Sequence, residues 1–376
     1  MNYNRQDYLK NVKRVVIKVG SSGITHSNGL INFNKMEHLC QQIADIHNRG
    51  IEIIFVSSGA IGAGMGKLMF KERPRTIPEK QAAAAVGQGI LIHLYEKMFS
   101  EYGITIAQIL LTREDMGSKN RYLNGRFALS ALIEKNVIPI INENDAISVE
   151  EIKFGDNDNL SALVACMVEA DLLIILSDID GLYDKNPSLF TDASIINFVD
   201  KIDKSIEEFA GGTLSNVGTG GMITKIRAAR VSTSSGIPMI IAKSDEPYVL
   251  DKILSFNDLG TFFKPKIVPL KKEKRWIAFA SKANGSILID DGAKNALTEH
   301  HKSLLPSGIL NISGNFSHRD VVNIIDTKNK IIARGITNYS SSDLEKIKGI
   351  KTGDIEKVLG IKNYNEVIHC DNLVII

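Results

Sequence analysis

Between Val12 and about Thr261 the chain alternates short, wholly apolar runs rich in β-branched residues with longer amphipathic stretches. VVIKV, IEIIFVSSG, ITIAQILL, VIPII, DLLIILSD and IPMIIA read as strands, and HLCQQIADIHNRG, LSALVACM and TKIRAARV as helices. Strands without polar alternation are buried on both faces, and strand-helix-strand repeats need long crossovers. The pattern therefore predicts an α/β fold, a three-layer α/β/α arrangement with a mostly parallel sheet. Folds of this kind bind ligands beyond the carboxyl ends of their strands.

The character changes near Phe262. FFKPKIVPLKKEKR carries two prolines and a basic cluster and reads as a linker. Beyond it, WIAFA, SILID, VVNIID and KIIARGI are short strand-like pieces separated by Gly, Asn and Ser turns, the pattern of a small, mainly β domain. The expected division is residues 1–265 for the α/β domain, 266–275 for the linker and 276–376 for the β domain.

The polar positions concentrate in one place. INENDAISVEEIKFGDNDNLSA, from Ile141 to Ala162, packs carboxylates and carboxamides into a Gly-punctuated loop after the run VIPII. Asp156, Asn157 and Asp158 fall at a strand-to-helix junction, with the first helical turn expected after Asp158 and Asn159. Asp and Asn are favoured at caps and turns for backbone reasons alone, but one cap needs one such cluster, and two at the end of a single strand point to a ligand.

Four turns rich in Gly or Ser offer backbone N–H groups to an anion: VGSSG (Val19 to Gly23), SSGAIGAGMG (Ser57 to Gly66), the GDNDN loop and GTGGMITK (Gly218 to Lys225). None has the GxxxxGK[ST] or GxGxxG spacing, and the HRD and DFG signatures of protein kinases are absent. Singly, each is a tight turn; together with Lys18 and Lys225 they suggest phosphate binding. Lys18 lies inside the apolar run RVVIKVG, where an ammonium group is costly without an anion beside it, unless the strand is an edge strand protected by its charge.

Composition narrows the classes. The chain has 376 residues, 44% of them apolar, enough for two domains with a sizeable core. A polar, basic amino terminus and the lack of a long apolar run predict a cytoplasmic protein with no membrane span. Cys40, Cys166 and Cys370 are far apart, without a CxxC pair or a His at metal-ligand spacing, which suits a reduced compartment, and Cys40 and Cys166 fall on apolar helix faces. A net charge of +2 provides no general drive toward nucleic acid, and from Lys271 onward sixteen Lys and Arg stand against twelve Asp and Glu, a net +4 that comes mostly from the KKEKR linker.

IKVGSS, VSSGAIGAGM, AVGQ, INENDA, FGDNDNLSA, SDIDGLY and GTGGMITK occur here in the same order as in the glutamate 5-kinases, and on these motifs the chain resembles that group of the amino acid kinase family. WIAFA, LLPSGI and GNFSHRD lie where bacterial members carry a C-terminal PUA domain, so the likeness covers the whole chain. It implies an ATP-dependent kinase that phosphorylates the side-chain carboxylate of L-glutamate, the first step of proline biosynthesis, with Mg²⁺ bridging the phosphates. No side-chain ligand is assigned to the metal.

By the same resemblance, Lys18 and Lys225 flank the transferring phosphoryl group and Asp158 positions the two ammonium groups. Gly20 and Gly59 donate backbone hydrogen bonds. Ser58, Asp145 and Asn157 contact glutamate, Asp145 through the α-ammonium and the hydroxyl and amide through carboxylate oxygens, with Asn142 and Asp156 as further candidates. Lys18, Ser177, Asp178, Thr219, Gly220, Gly221, Met222, Ile223, Thr224 and Lys225 bind ATP. Ser177 and Ile223 stand where many members have Thr and Ser. Feedback inhibition by L-proline and assembly as a homodimer or homotetramer are implied as well.

Relatives of this fold phosphorylate N-acetylglutamate, aspartate, carbamate or UMP, so a sister acyl kinase is the first alternative. An acetylated acceptor has no ammonium to pair with Asp145. A second is an RNA-binding module acting through the PUA domain, against which the charge count argues.

Overall fold

The computed structural model describes residues 4–26, 29–70, 72–148, 157–211 and 221–376. It divides into two compact units, one of Met1–Met116 with Asn120–Pro269 and one of Gly117–Lys119 with Leu270–Ile376. No described helix is long and apolar enough to cross a membrane.

The first unit is built on eight strands: β1 (Arg14–Val19), β2 (Glu52–Ser57), β3 (Ile106–Leu111), β4 (Ile138–Glu143), β5 (Leu172–Ser177), β6 (Phe198–Val199), β7 (Met239–Lys243) and β8 (Thr261–Phe263), in the order β3-β4-β2-β1-β5-β7-β8-β6. From β3 to β7 all neighbours are parallel, while β8 runs antiparallel to β7 and parallel to β6. Chain order runs one way from β1 to β2 and resumes on its other side at β5. The carboxyl ends of β1, β2, β4 and β5 therefore converge at this reversal, where such sheets bind ligands.

Lys18 pairs in register with Val56 on one side and Ile175 on the other, so β1 is a central strand and the edge-strand account of Lys18 is wrong. Phe262 and Phe263 are fully buried in β8, so the segment read as linker begins inside the sheet. The buried Arg5 donates to the carbonyls of Asn197, Asn257, Leu259 and Gly260, pairs with Asp258 at 3.0 Å and lies over the Phe262 ring.

Most glycines of SSGAIGAGMG serve packing rather than anion binding. Only Gly59 has a left-handed backbone, φ 99°, ahead of the helix Ala60–Lys67. A Cβ on Gly64 would lie 1.8 Å from the carbonyl oxygen of Ala83, and one on Gly87 would lie 1.7 Å from that of Ala60. The helices Ala60–Lys67 and Ile77–Ser100 thus touch backbone to backbone, and this close approach holds the Ser57–Gly59 turn over the sheet.

The second unit has a five-stranded sheet of order β10-β9-β11-β12-β13, with β9 (Gly285–Ile289), β10 (Ile309–Gly314), β11 (Val321–Ile325), β12 (Ile331–Ile336) and β13 (Leu373–Ile375). Only the β9–β11 pair is parallel. WIAFA is not a strand: Trp276–Ala280 is a helical turn continuing the helix Lys272–Arg275. Ile277 and Ala278, adjacent in sequence, are both buried with Val321 and Val374, which period-two alternation does not allow. After β11, Asp326 accepts the N–H groups of Lys328 and Lys330 and pairs with Lys294 at 2.7 Å.

Gly87→Ala is expected to destabilise the protein by about 3 kcal/mol, because backbone cannot yield to the new methyl as a side-chain end does. Gly89→Ala, two residues on and with nothing within 4 Å of its Cβ position, is expected to stabilise by about 0.5–1 kcal/mol. Denaturant unfolding of both variants checks the opposite signs.

Lys294 and the two amides lower the Asp326 carboxyl pKa to about 2. A carboxyl lowered on folding stabilises above its unfolded value and loses that contribution as pH falls through the folded one. Asp326→Asn is therefore expected to reduce amide-exchange protection of Lys328 and Lys330 at pH 7, with the difference from wild type closing between about pH 4 and 2.

Candidate active site

At the end of β1, Lys18 reaches past the sheet edge to Asp158, whose side chain is completely buried. Lys18 Nζ lies 2.5 Å from Asp158 Oδ1, Lys225 Nζ 3.2 Å from Oδ2, and Thr224 Oγ1 donates to Oδ2 at 2.9 Å. Both lysines are buried, each 4% exposed. One carboxylate is thus shared by two ammonium groups brought from separate elements, β1 and the helix Met222–Ser234.

The helix carrying Asp158 runs from Asn157 to Val168, so Asp158 lies within its first turn rather than ahead of it. The second lysine follows the helix N-cap Gly221, again inside the first turn rather than at the start, and the N-cap carbonyl accepts from Thr224 N and Oγ1. That N-terminus carries the positive end of the helix dipole. Among the described residues, nothing lies within 4 Å of a Cβ placed on Gly221.

Beside the lysines is a cluster of neutral amides and hydroxyls. Asn157 Nδ2 contacts Ser57 O at 3.1 Å, Ser58 Oγ at 2.8 Å and Asn142 Oδ1 at 2.9 Å. Asn142 in turn accepts from Glu143 N at 2.8 Å through Oδ1 and donates from Nδ2 to Gln88 Oε1 at 3.3 Å. Ser57 Oγ lies 2.8 Å from the Tyr95 hydroxyl, whose burial pushes its pKa up and keeps it protonated. Two buried polar atoms here, Asn157 Oδ1 and Gln88 Nε2, have no hydrogen-bond partner among the described residues.

The structure brings Lys18, Asp158, Thr224 and Lys225 into one constellation and Ser58, Asn142 and Asn157 into the next. Asp145 is half-buried in the turn after β4, its N–H donating to Glu143 O. Ser177 closes β5 and donates to Asp178 Oδ1 at 2.9 Å, leaving Asp178 exposed at the strand end. Met222 and Ile223 are half-buried in the first helical turn. Asp156, Thr219 and Gly220 lie outside the described residues.

One expected role changes. The Gly20 N–H donates to Leu176 O at 3.2 Å and is engaged within the sheet edge. The Asn157 amino group contacts Ser57 O, Ser58 Oγ and Asn142 Oδ1. Gln88, in the segment AVGQ, joins the cluster through Asn142, and its signal in the sequence is a glutamine inside an Ala- and Gly-rich helix segment. Cys40 and Cys166 are buried, as their helix faces suggest. Among the described residues, one group of metal-ligating side chains comes within 4.8 Å, His369, Cys370 and Asp371 in the second unit, where the sequence had offered no His at ligand spacing. Its His369 Nδ1 already accepts the Asp371 N–H.

The profile of the amino acid kinase family matches residues 13–243, the span holding every residue of this constellation. The chain belongs to the amino acid kinase family. A PUA domain profile matches residues 285–359, within the second unit. Among curated relatives, glutamate 5-kinase of Caldanaerobacter subterraneus subsp. tengcongensis is 53% identical over 363 residues, 96% of this chain and 98% of its own. Glutamate 5-kinase of Carboxydothermus hydrogenoformans is 50% identical over 374 residues, 99% and 100% of the two chains. That of Moorella thermoacetica is 48% identical over 368 residues, 98% and 97%.

In this amino acid kinase Asp158 is the counter-ion on which both buried lysines depend. Asp158→Ala is expected to cost about 3–5 kcal/mol, because two ammonium groups then share a buried site without their common carboxylate. Urea unfolding measures the loss, and Asp158→Asn, which keeps shape and removes charge, is expected to lose a similar amount.

Proposed function

We propose that this amino acid kinase transfers the γ-phosphoryl group of ATP to the side-chain carboxylate of L-glutamate, forming L-glutamyl 5-phosphate, the step that opens proline biosynthesis. The observation that carries the reading is the pair of buried lysines on Asp158, set at the sheet reversal directly beside the Ser58, Asn142 and Asn157 cluster.

The chemistry asks little of the protein beyond placement and charge. A carboxylate is already a nucleophile at neutral pH, so no general base is needed. Charge develops on the phosphoryl oxygens, and two ammonium groups held in fixed positions stabilise it without reorganising in the reaction. Asp158 keeps both ammonium groups in place when no phosphate is bound.

Ser58, Asn142, Asn157 and Asp145 would hold glutamate, and Ser177, Asp178, Gly221, Met222, Ile223 and Thr224, with the two lysines, would hold ATP. Asp156, Thr219 and Gly220 belong to the same assignments by sequence. Mg²⁺ would lean chiefly on the phosphates and water, with Asp178, an exposed carboxylate at the end of β5, as the oxygen donor that fits; it would neutralise phosphate charge. The division into a kinase domain and a PUA domain across residues 266–275, competition by L-proline at the amino acid pocket, and a homodimeric or homotetrameric state complete the reading. It rests on no nucleic-acid role, since the carboxyl-terminal third lacks a strong basic excess.

ATP turnover with Mg²⁺ and hydroxylamine, comparing glutamate, N-acetylglutamate, aspartate and UMP, is the direct test: hydroxamate forms with glutamate alone, and another acceptor would move the reading to a sister kinase. Lys225→Ala is expected to lower kcat by about 100-fold or more with little change in the glutamate KM. Asp145→Ala is expected to raise the glutamate KM while sparing that of ATP. An unaltered kcat or an equal loss for both substrates, respectively, would overturn these roles.

A further inference from the structure

The strand order gives the site a direction. Ser58 and Asn142, tied together through Asn157, stand at the ends of β2 and β4 on one side of β1. Ser177 and Asp178 stand at the end of β5 on the other side, and β7 comes next. In phosphoryl transfer the attacking and leaving oxygens lie roughly in line through phosphorus. An acceptor held on the side of β2 and β4 therefore sends the leaving nucleoside diphosphate toward β5 and β7.

The last residue of β7 is a lysine. Lys243 pairs in register with Ser177, and residues paired in this way on neighbouring strands project to the same face, about 4.8 Å apart. Lys18 pairs with Ile175, two residues before Ser177, so by the same period of two Lys18, Ser177 and Lys243 share one face. It is the face from which Lys18 meets Asp158. The Ser244 N–H donates to Ser177 O at 2.7 Å, which carries the pairing past the strand end and fixes the Lys243 backbone beside Ser177.

The charge of this lysine is uncommitted. The other four residues of β7 are buried and Lys243 is exposed. The carboxylates that follow it are taken by other cations, Asp245 by Lys35 at 2.9 Å and Glu246 by Lys252 at 2.5 Å. Among the described residues Lys243 forms no ion pair. We infer that Lys243 is a further nucleotide-binding residue, whose ammonium group meets the phosphates of the leaving nucleoside diphosphate beyond Ser177. Lys18 and Lys225 are held at Asp158, where the transferred group passes, and Lys243 supplies positive charge further along the triphosphate. The inference rests on the proposed glutamate kinase activity and extends its nucleotide pocket to β7.

The test uses the full-length protein and two readouts, turnover of glutamate with ATP and calorimetric binding of Mg-ADP without glutamate. Lys243→Met keeps the aliphatic stem and removes the charge. It is expected to raise the ATP KM and the Mg-ADP Kd together by about five- to tenfold, with the glutamate KM at saturating ATP unchanged. Lys243→Arg is expected to stay within about twofold of wild type for both. The gap between Lys243→Met and wild type is expected to shrink as KCl rises from about 50 to about 500 mM, since salt screens a charge contact and not a packing one. Lys135→Ala, an exposed lysine ahead of β4 at the opposite edge of the sheet, serves as the control. ATP and ADP constants within twofold of wild type in Lys243→Met, an equal change in Lys135→Ala, or a gap that salt does not alter overturns the inference. A wild type that binds Mg-ADP and leaves glutamate unphosphorylated overturns the acceptor assignment alone, and the ADP constants then decide Lys243; a wild type that binds no ADP overturns both.

Discussion

Among the described residues, Asp158 is the carboxylate that ties the geometry of the site together. An ammonium group at the end of a central strand, flanked on both sides by apolar strands, is tolerable only with an anion at contact distance, and Asp158 supplies it at 2.5 Å. The same side chain draws Lys225 and Thr224 from another helix to its second oxygen. Three segments separated by more than sixty residues each are thereby tied at a point by an arrangement of charge. The desolvation that makes the lysines costly to bury also strengthens the field they exert around them.

Around that point the fold uses two different means of precision. The Ser57–Gly59 turn is held by backbone contact between two helices, made possible by Gly64 and Gly87. The amide cluster beside it is held by directional hydrogen bonds that begin and end on backbone groups. Shape sets the position of the first, and donor-acceptor order sets the meaning of the second. Ser58 belongs to both, as a residue of the turn and a partner of Asn157.

Much of the first unit was legible in the sequence because its strands are buried on both faces and so appear as unbroken apolar runs. Lys18 stood out for the same reason, a charge inside such a run. WIAFA misled because its apolar residues fit strand and helix equally, and only the helix preceding it decides between them. SSGAIGAGMG looked like an anion turn throughout because a glycine needed for φ and a glycine needed for close approach are the same letter; the difference lies in Ala83 and Ala60, which no local pattern connects to Gly64 and Gly87. The roles expected of Lys225, Asp158 and Asn157 came with the family likeness, but the direction of the Asn157 amide depends on Asn142 and the Ser57 carbonyl meeting it in space.

The Arg5 clamp bears on how the chain must be made as well as on how it is held. Its carbonyl acceptors lie 192 to 255 residues further along the chain. At synthesis rates of about 5–20 residues per second, this guanidinium group waits roughly 10–50 s for its last partners. During that time the amino-terminal segment has no anchor on β8, so the first unit closes its sheet only after nearly all of its own sequence has left the ribosome. The residue that secures the beginning of the chain is therefore among the last to be secured.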